Sequence, residues 1–367
     1  MAADARVPAV AAFGRTLAGG IFAIAALFAI DTFLAKTERT ESQVEAGRLY
    51  QNGRRLLQSG QSAQSVEQFR SAVAVDRDNQ DYQLALAQAL LAAGNPSDAE
   101  TVLTALVQEN PFSGPANLAL AQVMVHENKI ADAISYYHRA IYGQWKENAS
   151  ANQLQVRFEL AELLSHQDSK EALLAELLPL QDEAPDDVAT QERIGLWFLA
   201  AGSPARAANV FREILRADPQ RPEALAGLGK AEFASGDYRG ARDEFEAALR
   251  IGPEDPTIRA RLDLCTRILD LDPTLRGLGP EERLRRSRKL LESALDDVKQ
   301  CLGEPASDPA QGVMKSAEGL LRRKTITYDD NLDLTDQLWQ LRQRNCKQTI
   351  LPGEEPLEIV LSKLSQK

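Results

Sequence analysis

The chain has 367 residues, 44% of them apolar and 26% charged, with a formal net charge of −11. That is apolar material enough for an ordinary core and excludes a disordered chain. The acidic balance argues against a protein whose main task is to hold nucleic acid, since that affinity comes largely from neutralising phosphates.

After a tail over residues 1–15, the stretch from Thr16 to Ala35 reads TLAGGIFAIAALFAIDTFLA and is interrupted only by Asp31. Its length suits one helical crossing of a bilayer, which predicts a single membrane anchor over 16–35. The rival reading is a cleaved signal peptide, with Arg6 and Arg15 as its basic end and Leu17 to Ile30 as its apolar region. Against cleavage, Phe33 stands three residues before the best break, after Ala35, where a small residue is wanted. Arg6 and Arg15 before the span and Lys36 and Arg39 after it leave the positive-inside count tied. The short N-terminal tail and the position of Asp31 favour export of the soluble part, to the periplasmic or extracytoplasmic side.

A polar linker is expected over 36–45. Beyond it, residue classes recur every 34 residues: Gly53, Ala87 and Ala121, then after a slip Ala161, Gly195 and Gly229. This spacing predicts helix pairs in registers 46–79, 80–113, 114–147, 154–187, 188–221 and 222–255. A small residue opens the second helix of each pair at Ala99, Ala133, Ala207 and Ala241, with Ser65 in the first unit and Leu173 in the fourth. A bulky one follows four residues on: Phe69, Leu103, Tyr137, Leu177, Phe211 and Phe245. Two antiparallel helices approach closely only where one offers Gly or Ala and the other a large side chain. Gly94, Gly202 and Gly236 mark turns within pairs, and Pro111, Pro185, Pro219 and Pro253 mark the ends of pairs.

Leu225 to Asp255, LAGLGKAEFASGDYRGARDEFEAALRIGPED, carries Leu228, Gly229, Gly236, Tyr238, Ala241, Phe245, Ala248 and Pro253 at spacings that resemble the tetratricopeptide repeat family. The resemblance covers residues 46–272 and implies an all-α, right-handed helix-turn-helix solenoid of about six units. Two departures stand out. The insertion Asn148 to Gln153 breaks the phase between three units and three, and Pro179 falls inside a second helix, where it should kink or end it. Residues 256–269 are expected to form a capping helix with Ile258, Leu262, Cys265 and Leu269 on its apolar stripe. Residues 273–367 form a small helical tail, with helices at Glu281 to Leu302, Pro309 to Arg323, Leu334 to Cys346 and Pro356 to Leu364.

In this family the first helices of successive repeats line the binding surface. Carried over, the groove comprises Tyr50, Arg54, Leu57, Leu84, Gln88, Leu91, Leu118, Gln122, Val125, Phe158, Glu162, Glu192, Leu196, Leu199, Lys230 and Phe233. Most are apolar or uncharged, which suits an amphipathic helix or an extended apolar segment; several of the leucines also have the alternative of packing on neighbouring repeats. Tyr50 and Arg54 stand where the family's carboxylate-clamp members begin their lysine and asparagine pattern, so that subclass is disfavoured.

The chemistry-bearing residues are sparse. The three cysteines, Cys265, Cys301 and Cys346, have no CxxC spacing. Cys301 and Cys346 end two tail helices, and in an exported protein they could form a disulfide; otherwise they are buried thiols. His126 and His166 share a position in their first helices, and polar groove lining explains them better than a metal. The basic run Arg283, Arg285, Arg286, Arg288 and Lys289 reads as a solvated helix face. No phosphate loop and no nucleophile motif appear, so neither a cofactor nor a small-molecule substrate is expected. The reading is a membrane-anchored, non-enzymatic adaptor holding a protein or peptide partner. The alternatives are a cytoplasm-facing recruiter and, from another class, a small tail enzyme with a docking arm, which the absence of histidine from 273–367 disfavours.

Overall fold

The computed structural model describes residues 32–33, 36–302, 308–323, 327–346 and 355–365. The expected anchor, 16–35, lies outside these residues apart from 32–33, and no described helix is long and apolar enough to cross a membrane. The chain divides into two compact units, residues 1–160 and 161–367.

In the first unit α1 (36–58) pairs with α2 (Ser62–Val75), α3 (Gln80–Ala92) with α4 (Pro96–Glu109), and α5 (Gly114–His126) with α6 (Ile130–Ile141), before α7 (Ala149–Ser165) begins. The stretch read as a linker is helical from residue 36. Residues 36–45 contain no Gly or Pro, and hydroxyls that would compete for the backbone bond back along the helix instead: Thr37 Oγ1 donates to the Phe33 carbonyl (2.9 Å) and Ser42 Oγ to that of Glu38 (2.9 Å). The insertion does not loop out either. Apart from Asn148, at φ +49°, it is the opening of α7.

The packing columns meet as bulk against hole. A side-chain carbon at Gly53 would lie 2.7 Å from the Phe69 ring, while Ala87 and Leu103, in the same columns of the next pair, are both buried. Ser65 is buried and donates to the Gly53 carbonyl (3.0 Å), so its hydroxyl does not stand unpaired in the core. Turns within pairs use left-handed backbone at Gly94 (φ +79°), and in the third pair at Asn128 (φ +59°), a residue that tolerates this conformation through local hydrogen bonding. Polar caps start the next helices: the Asn79 side chain accepts from the Asp81 and Tyr82 N–H groups, and Ser113 Oγ from that of Ala116.

In the second unit α8 (Lys170–Glu183), α9 (Val188–Ala200), α10 (Pro204–Ala217), α11 (Pro222–Ala234) and α12 (Tyr238–Ile251) continue the pattern. Pro179 does not end α8, which runs on to Glu183. The prolines at 185, 219 and 253 each follow the last helical residue by two positions. The cap, α13 (Pro256–Leu271), is two-faced. Cys265 packs with Ala241 and Phe245 of α12, with Ile258 and Leu262 at the margin. Leu264, Ile268 and Leu271 instead join a second core made with α14 (Pro280–Leu302), α15 (Asp308–Leu321), α16 (Tyr328–Asn345) and α17 (Pro356–Ser365). The stripe read from sequence is thus only one of two. α16 also starts six residues before the expected Leu334, because Thr327 and Asp330 form a capping box.

Three cross-links hold the tail together. Cys301 and Cys346 form a disulfide between the ends of α14 and α16 (Cα–Cα 5.9 Å). Buried Asp272 accepts from Lys363 Nζ (2.7 Å) and from Thr274, tying α17 to the end of α13. Arg342 Nε donates to Asp297 (2.5 Å). The basic run is mostly occupied: Arg285 and Arg286 both donate to Glu282, holding its carboxyl down to about 2, Arg286 also donates to the Leu269 carbonyl, and Arg288 donates to that of Leu321.

Candidate functional site

The expected groove is best followed within each unit. In the first, none of Tyr50, Arg54, Leu57, Leu84, Gln88, Leu91, Leu118, Gln122, Val125 and Phe158 is fully buried, so these side chains keep surface that repeat packing leaves uncovered. Tyr50 lies 5.7 Å from the Phe69 ring and 5.0 Å from that of Tyr82, with the Arg54 guanidinium 5.9 Å from its centroid. An aromatic cluster therefore spans α1 to α3. Farther along, Glu159 Oε2 accepts from Gln122 Nε2 (3.0 Å) and from the Tyr137 hydroxyl (3.4 Å). Burial, then the charge and hydrogen bond of Glu159, push the Tyr137 phenol upward, so it stays a donor. Tyr82 and Glu159 were missed in sequence because neither falls on a column that repeats.

Leu84 also borders a cavity of about 500 Å³ whose polar lining includes Asp81, Asn110, Gln144 and Asn152. Lys146, from the connection after α6, crosses it to meet Asp81 (2.7 Å). Both partners are exposed, so this pair contributes little to stability.

In the second unit the candidates separate into open and engaged residues. Leu196 is exposed (44%), Leu199 is half-buried, and Lys230 is exposed. Glu162 accepts from or pairs with His166 (3.2 Å) at the surface. Glu192 is held by Arg221 through two contacts of 2.5 and 3.0 Å. Phe233 packs edge-on against Tyr238 (5.2 Å), lies 5.2 Å from the Arg261 guanidinium, and belongs to the core shared with α13–α17. The cap that sequence placed beyond the groove thus covers part of Phe233, which stays half-buried.

His126 and His166 are both exposed, and among the described residues no group of His, Cys, Asp and Glu is arranged to hold a metal. Cys265 is fully buried, and burial pushes its thiol up to about 11, which makes it a poor nucleophile. The tail holds a cavity of about 450 Å³ lined by Arg283, Tyr328, Asp333, Asp336 and Trp339 among others, with no histidine or cysteine.

Antiparallel helix pairs stacked on small-against-large columns, with uncovered side chains along their first helices, define a helical-repeat protein. Patterns described as tetratricopeptide repeat match residues 50–113, 84–152 and 198–268. The chain is a tetratricopeptide repeat protein. The putative cellulose synthase operon protein C of Escherichia coli O157:H7 is 25% identical over 209 residues, which are 56% of this chain and 18% of that protein. The chain therefore spans under a fifth of that relative's length. Among solved structures, YrrB, a TPR protein with an unusual peptide-binding site, is 15% identical with a TM-score of 0.44, covering 52% of this chain and 94% of its own. A tetratricopeptide repeat protein from Parabacteroides merdae is 12% identical with a TM-score of 0.42, covering 79% and 98%.

Proposed function

We propose that this chain is a non-enzymatic scaffold that holds a peptide or protein partner along the first helices of its repeats. It is tethered to a membrane through residues 16–35 and works outside the cytoplasm in envelope assembly or maturation. The observation that carries the reading is the row of uncovered apolar side chains from Tyr50 to Val125 in the first unit; within the second unit, Leu196 and Leu199 are likewise not fully buried. Such a row, with few charged anchors, suits an amphipathic helix or extended apolar segment. The Cys301–Cys346 disulfide supports the exported side, because structural disulfides persist in oxidising compartments.

The test is photo-crosslinking in cells, with the reactive side chain at Leu91 or Leu196 and, as control, at Arg239. A discrete partner captured from the first-helix positions alone is the expected result. Equal labelling at all three, or none, would sink the scaffold reading. A topology reporter fused after Lys367 separates the exported form from a cytoplasm-facing recruiter.

A further inference from the structure

The connection that breaks the repeat phase builds a feature of its own. Residues 142–148 run back beside residues 110–113, and two backbone hydrogen bonds pin the loops together: the Gln144 N–H donates to the Phe112 carbonyl (2.7 Å) and the Gly114 N–H to the Gln144 carbonyl (2.9 Å). A side chain at Gly143 would come within 2.8 Å of the Gly114 Cα, so the two backbones touch. The Trp145 indole donates to the Ala140 carbonyl (3.0 Å) and lies over Gly114, where a Cβ would meet it at 2.4 Å. The loop is therefore wedged and hydrogen-bonded along its length.

This fixed backbone holds Phe112 and Tyr142 outward, 67% and 74% exposed. Single exposed apolar side chains need no explanation, but two aromatics that line one recess do. With Pro111, His138 and Arg139 they line a recess of about 390 Å³. No carboxylate lines it, although the chain carries a net charge of −11, and the Arg157 guanidinium lies 5.8 Å from the Tyr142 centroid. Aromatic residues and arginine are the types that dominate the centres of protein interfaces.

We propose that this recess is a docking site for an acidic protein segment, which inserts one apolar side chain between Phe112 and Tyr142 and sets its carboxylates along Arg139. The charge of the lining selects an acidic partner. The concavity favours a side chain over a bilayer, which would call for a protruding face. The recess lies on the connections between helices, apart from the first-helix row, so it can be filled independently of that row.

A random dodecapeptide library displayed on phage and panned on the full chain tests this. The expected peptides carry Asp or Glu around one aromatic or leucine. Their binding should weaken about tenfold or more in Phe112→Ser/Tyr142→Ser and in Arg139→Glu, and stay unchanged in Arg239→Glu, the same charge reversal at an exposed position outside both the recess and the first-helix row. All the recess substitutions are at exposed or half-exposed side chains, and a variant whose melting temperature falls is set aside in favour of the Arg139→Glu readout. The proposal is overturned if no peptide is recovered, if the recovered peptides lack acidic residues, or if they bind the recess variants as tightly as the parent. It is overturned equally if the recess variants lose only cosedimentation with phosphatidylglycerol vesicles, which would assign the recess to lipid.

Discussion

Phe211 sits between two glycines: a Cβ would lie 2.7 Å from its ring at Gly195 of α9 and 2.3 Å from it at Gly227 of α11. The ring is almost fully buried and has nowhere to move. Gly227→Ala gains about 1 kcal/mol of helix propensity, yet overpacking costs about 1–3 kcal/mol, and with Gly195 blocking retreat the clash should win. Chemical denaturation should show Gly227→Ala destabilised, and Gly227→Ala/Phe211→Leu no less stable than Phe211→Leu alone, a coupling of at least about 1 kcal/mol. Additive losses would mean that α11 shifts to make room. Asp272 offers a second residue-scale test. Burial alone would raise its pKa, but the hydrogen bonds from Lys363 and Thr274 outweigh burial and lower it. A carboxyl lowered in the folded state contributes stability above its unfolded pKa of about 3.9 and loses it as pH falls through the folded value. The stability advantage of the parent over Asp272→Asn should therefore be present at pH 7 and fade below about pH 4. Thermal melts across that range check it, and a constant difference would place the ion pair outside the stability balance.

At the level of elements, the regular features were legible because they repeat. The columns headed by Gly53 and Phe69, the turns at Gly94, Gly202 and Gly236, and the prolines closing four of the six pairs all occupy their expected places. What escaped notice was set by single contacts with no periodic signal: helical continuity through 36–45, the opening of α7 in the insertion, α8 persisting past Pro179, and the earlier start of α16 from Thr327. The surroundings of the candidate residues were legible only in part for the same reason. Phe233 fits its column, and nothing local to it announces the core contributed by α13–α17. The disulfide joins two such non-repeating elements across a sequence separation of 45. Loop-closure entropy for that span gives about 4 kcal/mol of stabilisation. Reduction should lower the tail's melting transition, and Cys301→Ser/Cys346→Ser should melt at one temperature with or without reductant. Thiol titration should find no reactive group in the native protein and one, Cys265, after denaturation. Two or more reactive thiols in the native state would show the bridge open.

For the molecule as a whole, the two faces of α13 decide how the tail relates to the repeats of its own unit. A cap that merely shields the last pair would be polar on its outer side. Here Leu264, Ile268 and Leu271 are buried outward, against Leu290, Leu291, Trp339 and Val360, while Phe233 and Tyr238 of the last pair reach into the same core. The tail is thus a continuation of the second unit's core, and α13 cannot be satisfied by the repeats alone. Ending the chain after Asp272 would expose those leucines and Ile268 to water, each at roughly 1.5–3 kcal/mol. In a repeat array such a loss is felt through nearest-neighbour interfaces and fades with distance. Hydrogen exchange on the shortened chain should accordingly show protection lost most in α13, α12 and α11 and less in α10 and α9. Uniform protection, equal to that of the full chain, would instead make the tail an appended domain, and the buried outward face of α13 would then need another explanation.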